Sequence, residues 1–380
     1  MFDIARSLDR KKFEPVVICA PEGGIPDQLA EQNIRTRTVG RGEYLRYSHS
    51  QPIGTIQDLI AVAREILRLA REENARVVHA FDGMLFFAAC LAKLRRPDLK
   101  IVWLDCGFNL YPYYFRVVMW WCFRRADFVA TLSRVRQSQH MEEGLPPAKS
   151  VVVPCGTDYH LTRRAEAAPE GAARKSDEVC VGIIGRIVPI KNFEMFLQVA
   201  RMVADKHPRV RFRVIGRKGF LKSELEYYRR IREMAEGLGL ADRVTFQDSV
   251  PDLAKAIGEF DLLASTSHLE TFGRTLVETM AMSKPVVATA VGAMPEVIVD
   301  GEVGYLTPPG DVQTMAERIC QLVENAELRE AMGRNGYERV LKQYDIRLIA
   351  GRWEQMYEVM LEGVTELNFA RRADGAGAGA

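Results

Sequence analysis

Short apolar runs alternate with helix-patterned stretches along this chain, and the alternation occurs twice. Runs at 15–20, 77–81, 101–104, 128–132 and 151–153 read as strands, spaced by helical patterns such as 56–72. A second set follows near 179–184, 210–215, 243–247, 260–264 and 285–288. Strands joined through helices run parallel, and a parallel sheet needs both faces covered. The expected class is therefore α/β, with ligands in the crevice outside the strands' carboxyl ends. Between the sets, residues 162–177 are polar and small with no periodic apolar face, and read as a linker. This places one domain at 1–161 and another at 178–342, with a helix at 343–366 expected to pack back toward the first. Residues 367–380, rich in Gly and Ala, are expected to be disordered.

Composition narrows the partners. Lys plus Arg number 52 against 50 Asp plus Glu, a net charge of +2, so no basic excess points to nucleic acid. The apolar share of 47% suffices for two cores. Seven scattered cysteines form no Cys-x-x-Cys pair and read as reduced thiols of a cytoplasmic protein. Six dispersed histidines lack zinc spacing, so a structural metal is not expected. No secretory signal is expected ahead of the first domain.

The chemistry concentrates in Ser265-Thr-Ser-His-Leu-Glu-Thr-Phe-Gly-Arg-Thr-Leu-Val-Glu-Thr-Met-Ala281. The apolar residues before it read as a buried strand, while Leu276, Val277, Met280 and Ala281 have helical spacing. Glu270 then falls in a strand-to-helix turn and Glu278 one or two turns into the helix. The amides of Thr271, Phe272 and Gly273 are expected to open that helix as an anion site beside Arg274. Upstream, a strand from 179 ends at Gly185-Arg186, with Lys191 five positions on, and another ends at Gly216. Taken singly, two helical glutamates, or one Arg and one Lys in a turn, are more often solvated surface.

In register, these stretches resemble the donor site of family 4 of the retaining glycosyltransferases, whose GT-B fold has two facing Rossmann-like domains with a cleft between them. The resemblance rests on Glu270-x7-Glu278 with Phe272-Gly273, on Gly185-Arg186-x4-Lys191, on the strand ending at Gly216, and on the run from Lys284 through Pro295-Glu296 to Leu306. It implies that Arg186 and Lys191 meet the donor diphosphate, that Glu270 holds donor-sugar hydroxyls and that Glu278 binds the ribose. It also implies a metal-independent reaction, with a nucleoside-diphosphate sugar as substrate rather than cofactor. In the first half, 125–133 and 151–158 resemble the family's pattern, with Cys155 and Thr157 as departures. Where the family has His-Gly, this chain has Asp105-Cys106-Gly107. Asp105 there either accepts a sugar hydroxyl or caps the following turn, and Asn109 is placed with it on the acceptor or donor-sugar side.

Two further expectations concern the first half. Residues 1–18 read like the family's first helix running into its second strand, so the first strand and its glycine loop are expected to be missing from this start. Residues 111–125 gather aromatics and three arginines, either as an interfacial helix for peripheral contact at the inner membrane face or as a core helix with snorkelling arginines.

The reading is a transferase that moves a sugar from a nucleoside diphosphate to a carbohydrate or lipid-linked acceptor, in cell-surface polysaccharide or glycolipid synthesis. Alternatives are a GT-B sugar-nucleotide epimerase or hydrolase, and a non-catalytic nucleotide-sugar-binding protein.

Overall fold

The computed structural model describes residues 2–21, 24–40, 52–107, 115–158, 178–219, 222–248, 250 and 252–363. The linker 162–177, the tail 367–380 and Asn109 lie outside the described residues. The chain divides into two α/β units, one of residues 1–156 with 346–380 and the other of residues 157–345.

In the second unit six strands form one parallel sheet: β7 (Cys180–Ile184), β8 (Arg211–Ile215), β9 (Val244–Gln247), β10 (Leu262–Ser265), β11 (Val286–Thr289) and β12 (Gly304–Thr307). Their order is β12-β11-β10-β7-β8-β9. β7 and β11 are short runs rich in β-branched residues and buried on both sides, as a covered parallel sheet requires. Helix Phe193–Lys206 shows how the faces are covered. Its Phe193, Phe196, Leu197, Ala200 and Val203 repeat at three and four positions and are all buried. Asn192 starts it, accepting from the Met195 amide at 3.3 Å from a left-handed backbone at φ 51. Phe196 meets Phe212 of β8 edge-on at 6.1 Å.

The first unit holds β1 (Val16–Cys19), β2 (Arg35–Thr38), β3 (Val77–Ala80), β4 (Lys100–Asp105), β5 (Phe128–Thr131) and β6 (Ser150–Val152). Among the described residues they form two parallel sheets, β1-β2 and β3-β4-β5-β6, rather than one. Helix Ile346–Glu362 belongs to this unit: Glu354 accepts from the Asp9 amide at 2.6 Å and Tyr357 lies 2.7 Å from His79 Nδ1.

Two strands escaped the sequence reading. In β2, Arg-Thr-Arg-Thr has no apolar face, yet Arg35 and Arg37 reach Glu73 at 2.6 and 3.2 Å, so ion pairs rather than apolar burial accompany the pairing. The other, β12, is a four-residue edge strand. Of the seven free cysteines five are buried, Cys155 is half-buried and Cys106 is exposed. Among the described residues no helix is long and apolar enough to cross a membrane.

Candidate active site in the second unit

The chain leaves β7 for β8 on one side, completes β9, and crosses back to place β10 on β7's other side. Connections from two neighbouring parallel strands therefore diverge at β7 and β10, which opens a crevice at their carboxyl ends. The predicted donor residues of this unit lie on the loops and helix that follow β7, β8 and β10.

Gly185 follows β7 and Gly216 follows β8, and their backbones touch. The Gly185 amide donates to the Ile215 carbonyl at 3.0 Å, and the Gly216 amide to that of Gln247 at 3.0 Å. A Cβ on Gly216 would stand 1.8 Å from the Gly185 carbonyl oxygen, so no other residue fits that position unshifted. Arg186 projects beside them, exposed and without an ion pair among the described residues.

Lys191 closes the 3₁₀ turn Pro189–Lys191, and its ammonium lies 2.5 Å from Glu270 Oε2. The carboxylate side chain is 13% exposed and the lysine 27%, so the pair is partly shielded yet reachable. Ser267 Oγ also approaches Glu270 Oε2, at 3.4 Å. Two ties fasten the loops that carry them. The Thr266 hydroxyl lies 3.1 and 2.8 Å from the carbonyls of Lys191 and Asn192, and the His268 amide donates to the Ile190 carbonyl at 2.9 Å. From the far side, Thr289 donates to the Ser267 carbonyl at 2.7 Å, and the Ala293 amide to the Glu270 carbonyl at 3.1 Å. Gly292, at φ 51, allows that approach: a Cβ there would lie 2.0 Å from the same oxygen.

The helix after β10 runs Arg274–Ala281, with Gly273 as its N-cap at φ 81. Thr271, Phe272 and Gly273 therefore precede its first residue rather than open it: Phe272 is buried edge-on against Tyr344 at 5.6 Å, and the first-turn amides start at Arg274. Glu278, the fifth helical residue, is 12% exposed at its side chain and pairs with Arg274 at 2.8 Å.

Thr266, Ser267, Thr289 and Gly292 were not singled out from the sequence. A signal was present: Ser265-Thr-Ser267 sets three hydroxyls at the end of a buried strand, where side chains hydrogen-bond to neighbouring backbone.

In the first unit, Asp105 ends β4, 2% exposed. Its Oδ1 accepts from the Gly107 amide at 3.2 Å, capping the turn, while Oδ2 meets Arg136 Nε at 2.5 Å and His140 Nε2 at 2.7 Å. Burial alone would raise the Asp105 pKa, but the His140 hydrogen bond and the Arg136 charge together hold it below the usual carboxylate value.

The two halves match two protein families. Residues 1–156 match the Glycosyl transferase 4-like domain, and residues 165–339 match Glycosyl transferases group 1. A poly(ribitol-phosphate) alpha-N-acetylglucosaminyltransferase of Staphylococcus aureus is 30% identical over 181 residues, 47% of this chain and 35% of the relative. A D-inositol 3-phosphate glycosyltransferase of Mycobacterium marinum is 37% identical over 183 residues, 47% of this chain and 38% of the relative. The chain thus spans less than half the length of the curated relatives it matches. Among solved structures, Anabaena Alr3699/HepE in complex with UDP and glucose superposes with a TM-score of 0.78 at 20% identity, over 94% of each chain. A glycosyltransferase from Rickettsia africae superposes at 0.77 and 17% identity, over 95% of this chain and 93% of that one. At such identities the shared property is the fold.

Proposed function

The chain belongs to the glycosyltransferase family 4-like group with the GT-B fold, and on that premise we propose that it transfers a sugar from a nucleoside-diphosphate donor to an acceptor with retention of configuration. The observation that carries this reading is the Lys191–Glu270 pair, held at the switch point beside the Gly185–Gly216 contact. A cation and a carboxylate 2.5 Å apart serve two adjacent parts of one substrate. Lys191, with Arg186, turns to the diphosphate, whose charge grows as it leaves, and Glu270 is released to accept from sugar hydroxyls. The first-turn amides of helix Arg274–Ala281 add dipoles of the same sign, and Glu278 takes the ribose. With these charges in place no divalent ion is required, and the departing phosphate helps to take the acceptor's proton.

The acceptor is a carbohydrate or a lipid-linked glycan of cell-surface polysaccharide or glycolipid synthesis, reached by peripheral contact at the cytoplasmic face. Helix Phe115–Arg125 supports the membrane contact. It buries Met119, Cys122 and Phe123 but exposes Arg116, Val117, Trp120 and Arg124, with Arg124 lying 3.9 Å over the Trp120 ring.

The test is a nucleotide-sugar panel read by thermal stabilisation, where a donor at 100 times its dissociation constant adds about 2.7 kcal/mol. Product analysis with the stabilising donor follows, in chelator and with candidate acceptors. A requirement for a divalent ion, or turnover that ignores every acceptor, would overturn the reading.

A further inference from the structure

Among the described residues, Asp105, Arg136 and His140 are the only Asp, Glu, Lys, Arg or His residues that are buried, and the two cations both meet the one carboxylate. The fold brings them together in two steps. Asp105 ends β4 opposite Thr131 of β5, and helix Arg134–Glu142 starts just beyond that strand with Ser133 as its N-cap. Arg136 and His140 are four positions apart and so share one face of the helix, the face that turns to β4, where His140 also lies 5.2 Å from the Trp103 ring. Geometry fixes the state of the histidine. Its Nε2 lies 2.7 Å from Asp105 Oδ2 and its Nδ1 2.9 Å from Glu143 Oε2, and an imidazole donates to two carboxylates only when it carries both protons. Arg136 is steadied from its other side by Gln139 at 3.0 Å.

Net stability alone does not call for such an arrangement. Desolvation offsets most of the attraction among buried ions, and apolar residues of similar volume often serve as well or better. Apolar residues cannot aim a carboxylate. With Arg136 and His140 both on Oδ2, the plane of the Asp105 carboxylate is fixed and Oδ1 is left to the Gly107 amide at 3.2 Å. The turn held in this way follows β4 at the carboxyl end of the sheet, where open α/β sheets take their ligands, and its Cys106 is exposed. Asp105 is buried with both oxygens engaged, so the turn, not the carboxylate, is what this strand end presents.

We propose that Arg136 and His140 are positioning residues of the transfer reaction, acting through Asp105 to hold the Cys106–Gly107 turn against the bound substrate. Neither cation touches substrate itself. The nature of that substrate rests on the sugar-transfer reading, whereas the hold of the cluster on the turn is independent of it.

Two readouts separate the hold from its use. Amide exchange at Gly107 needs no substrate and reports the turn. Steady-state kinetics, with whichever of a set of UDP-, GDP- and ADP-linked hexoses stabilises the parent, report the reaction. His140→Leu and His140→Gln both deprive Glu143 of its imidazole, but glutamine keeps an N–H for Asp105. Leucine should speed Gly107 exchange at least about tenfold and lower kcat by about 10–100-fold with a smaller change in donor KM, and glutamine should recover most of both. Replacing all three ions by apolar side chains, in Asp105→Leu with Arg136→Met and His140→Leu, should leave the melting temperature at or above the parent's while kcat falls as in the leucine variant. Equal kcat or equal Gly107 exchange in the leucine and glutamine variants overturns the proposal whether or not the triple variant folds. Parental kcat in a folded triple variant overturns it as well. A parent that transfers from no nucleotide sugar removes the sugar-transfer reading and the positioned reaction with it, whereas turnover that survives these substitutions removes the positioning role alone.

Discussion

The Lys191 ammonium donates to the Glu270 carboxylate at 2.5 Å, across 79 positions of sequence. In the proposed reaction each of these groups is held by the other until a donor separates them. Glu270→Gln removes the charge that competes with a diphosphate for Lys191, so free nucleoside diphosphate is expected to bind at least as tightly as to the parent. Turnover should fall by about 10–100-fold, because the lost contact is to the transferring sugar. Glu278→Gln is the counterpart, weakening the nucleoside by about 1.5–3 kcal/mol with a smaller effect on kcat. Calorimetry with the free diphosphate beside steady-state kinetics separates them, and equal losses of diphosphate affinity in both variants would remove the assignment.

The two cations should differ in how they fail. Arg186 is exposed and makes no ion pair among the described residues. Arg186→Ala should leave the melting temperature unchanged while weakening nucleoside diphosphate binding by about 1.5–3 kcal/mol. Lys191→Ala removes a ligand contact and also leaves Glu270 facing the diphosphate, so its loss should be the larger. Unchanged affinity in both would sink the clamp.

Thr266 is 1% exposed and its hydroxyl lies within reach of the carbonyls of Lys191 and Asn192, tying the loop after β7 to the strand end that leads to Glu270. Thr266→Val keeps the shape and removes the donor. It should cost about 1–3 kcal/mol of stability for the carbonyls left without it, and lower kcat more than it raises the donor KM. Thr266→Ser retains the hydroxyl and should recover most of the kcat. Failure of serine to rescue would reduce Thr266 to a packing residue.

The sequence carried the second unit further than the first. Strands β7 and β11 there are short β-branched runs bounded by Gly or Pro, and the proposed donor residues lie on loops whose local patterns are distinctive, so Gly185, Lys191 and Glu270 stood out as candidates in the sequence alone. Their mutual contact was not, since a pairing over 79 positions depends on which strands become neighbours. In the first unit β2 was hidden because its arginines are neutralised by Glu73, a partner 38 and 36 positions away. For Asp105 the sequence left a sugar hydroxyl and a turn cap open alike, and only the fold brings Arg136 and His140 onto its second oxygen.

That cluster makes stability depend on pH in both directions. Burial opposes charge on His140, yet hydrogen bonds to Asp105 at 2.7 Å and Glu143 at 2.9 Å raise its pKa above the ordinary value. A raised folded value contributes stability below the unfolded pKa of about 6.5, and that contribution is lost as pH rises through the folded value. Glu143, lowered chiefly by the His140 hydrogen bond, and Asp105, lowered by His140 and Arg136 against its burial, act at the other end. Their contribution is present above the ordinary carboxylate pKa and lost as pH falls through their lowered values. Melting curves from pH 2 to 9 at constant ionic strength should therefore decline on both sides. His140→Gln should flatten the alkaline decline, and an unchanged alkaline slope in that variant would exclude the histidine as its source.

Two glycines set opposite expectations for the same substitution. In Gly216→Ala the new methyl would lie 1.8 Å from the Gly185 carbonyl oxygen, and that neighbour is backbone, so relief requires β7 and β8 to shift at their carboxyl ends. Overpacking of this kind costs about 1–3 kcal/mol, sometimes more, and here it displaces the turn that carries Arg186. Melting temperature and donor affinity should fall together. Gly351 lies inside helix Ile346–Glu362, exposed, with nothing within 4 Å of a built Cβ. Gly351→Ala should therefore stabilise by about 0.5–1 kcal/mol, through lower backbone entropy in the unfolded chain, and leave donor affinity unchanged. If Gly216→Ala bound donor like the parent, the Gly185–Gly216 contact would not shape the nucleotide site, and the diphosphate would have to be placed elsewhere along the carboxyl edge of the sheet.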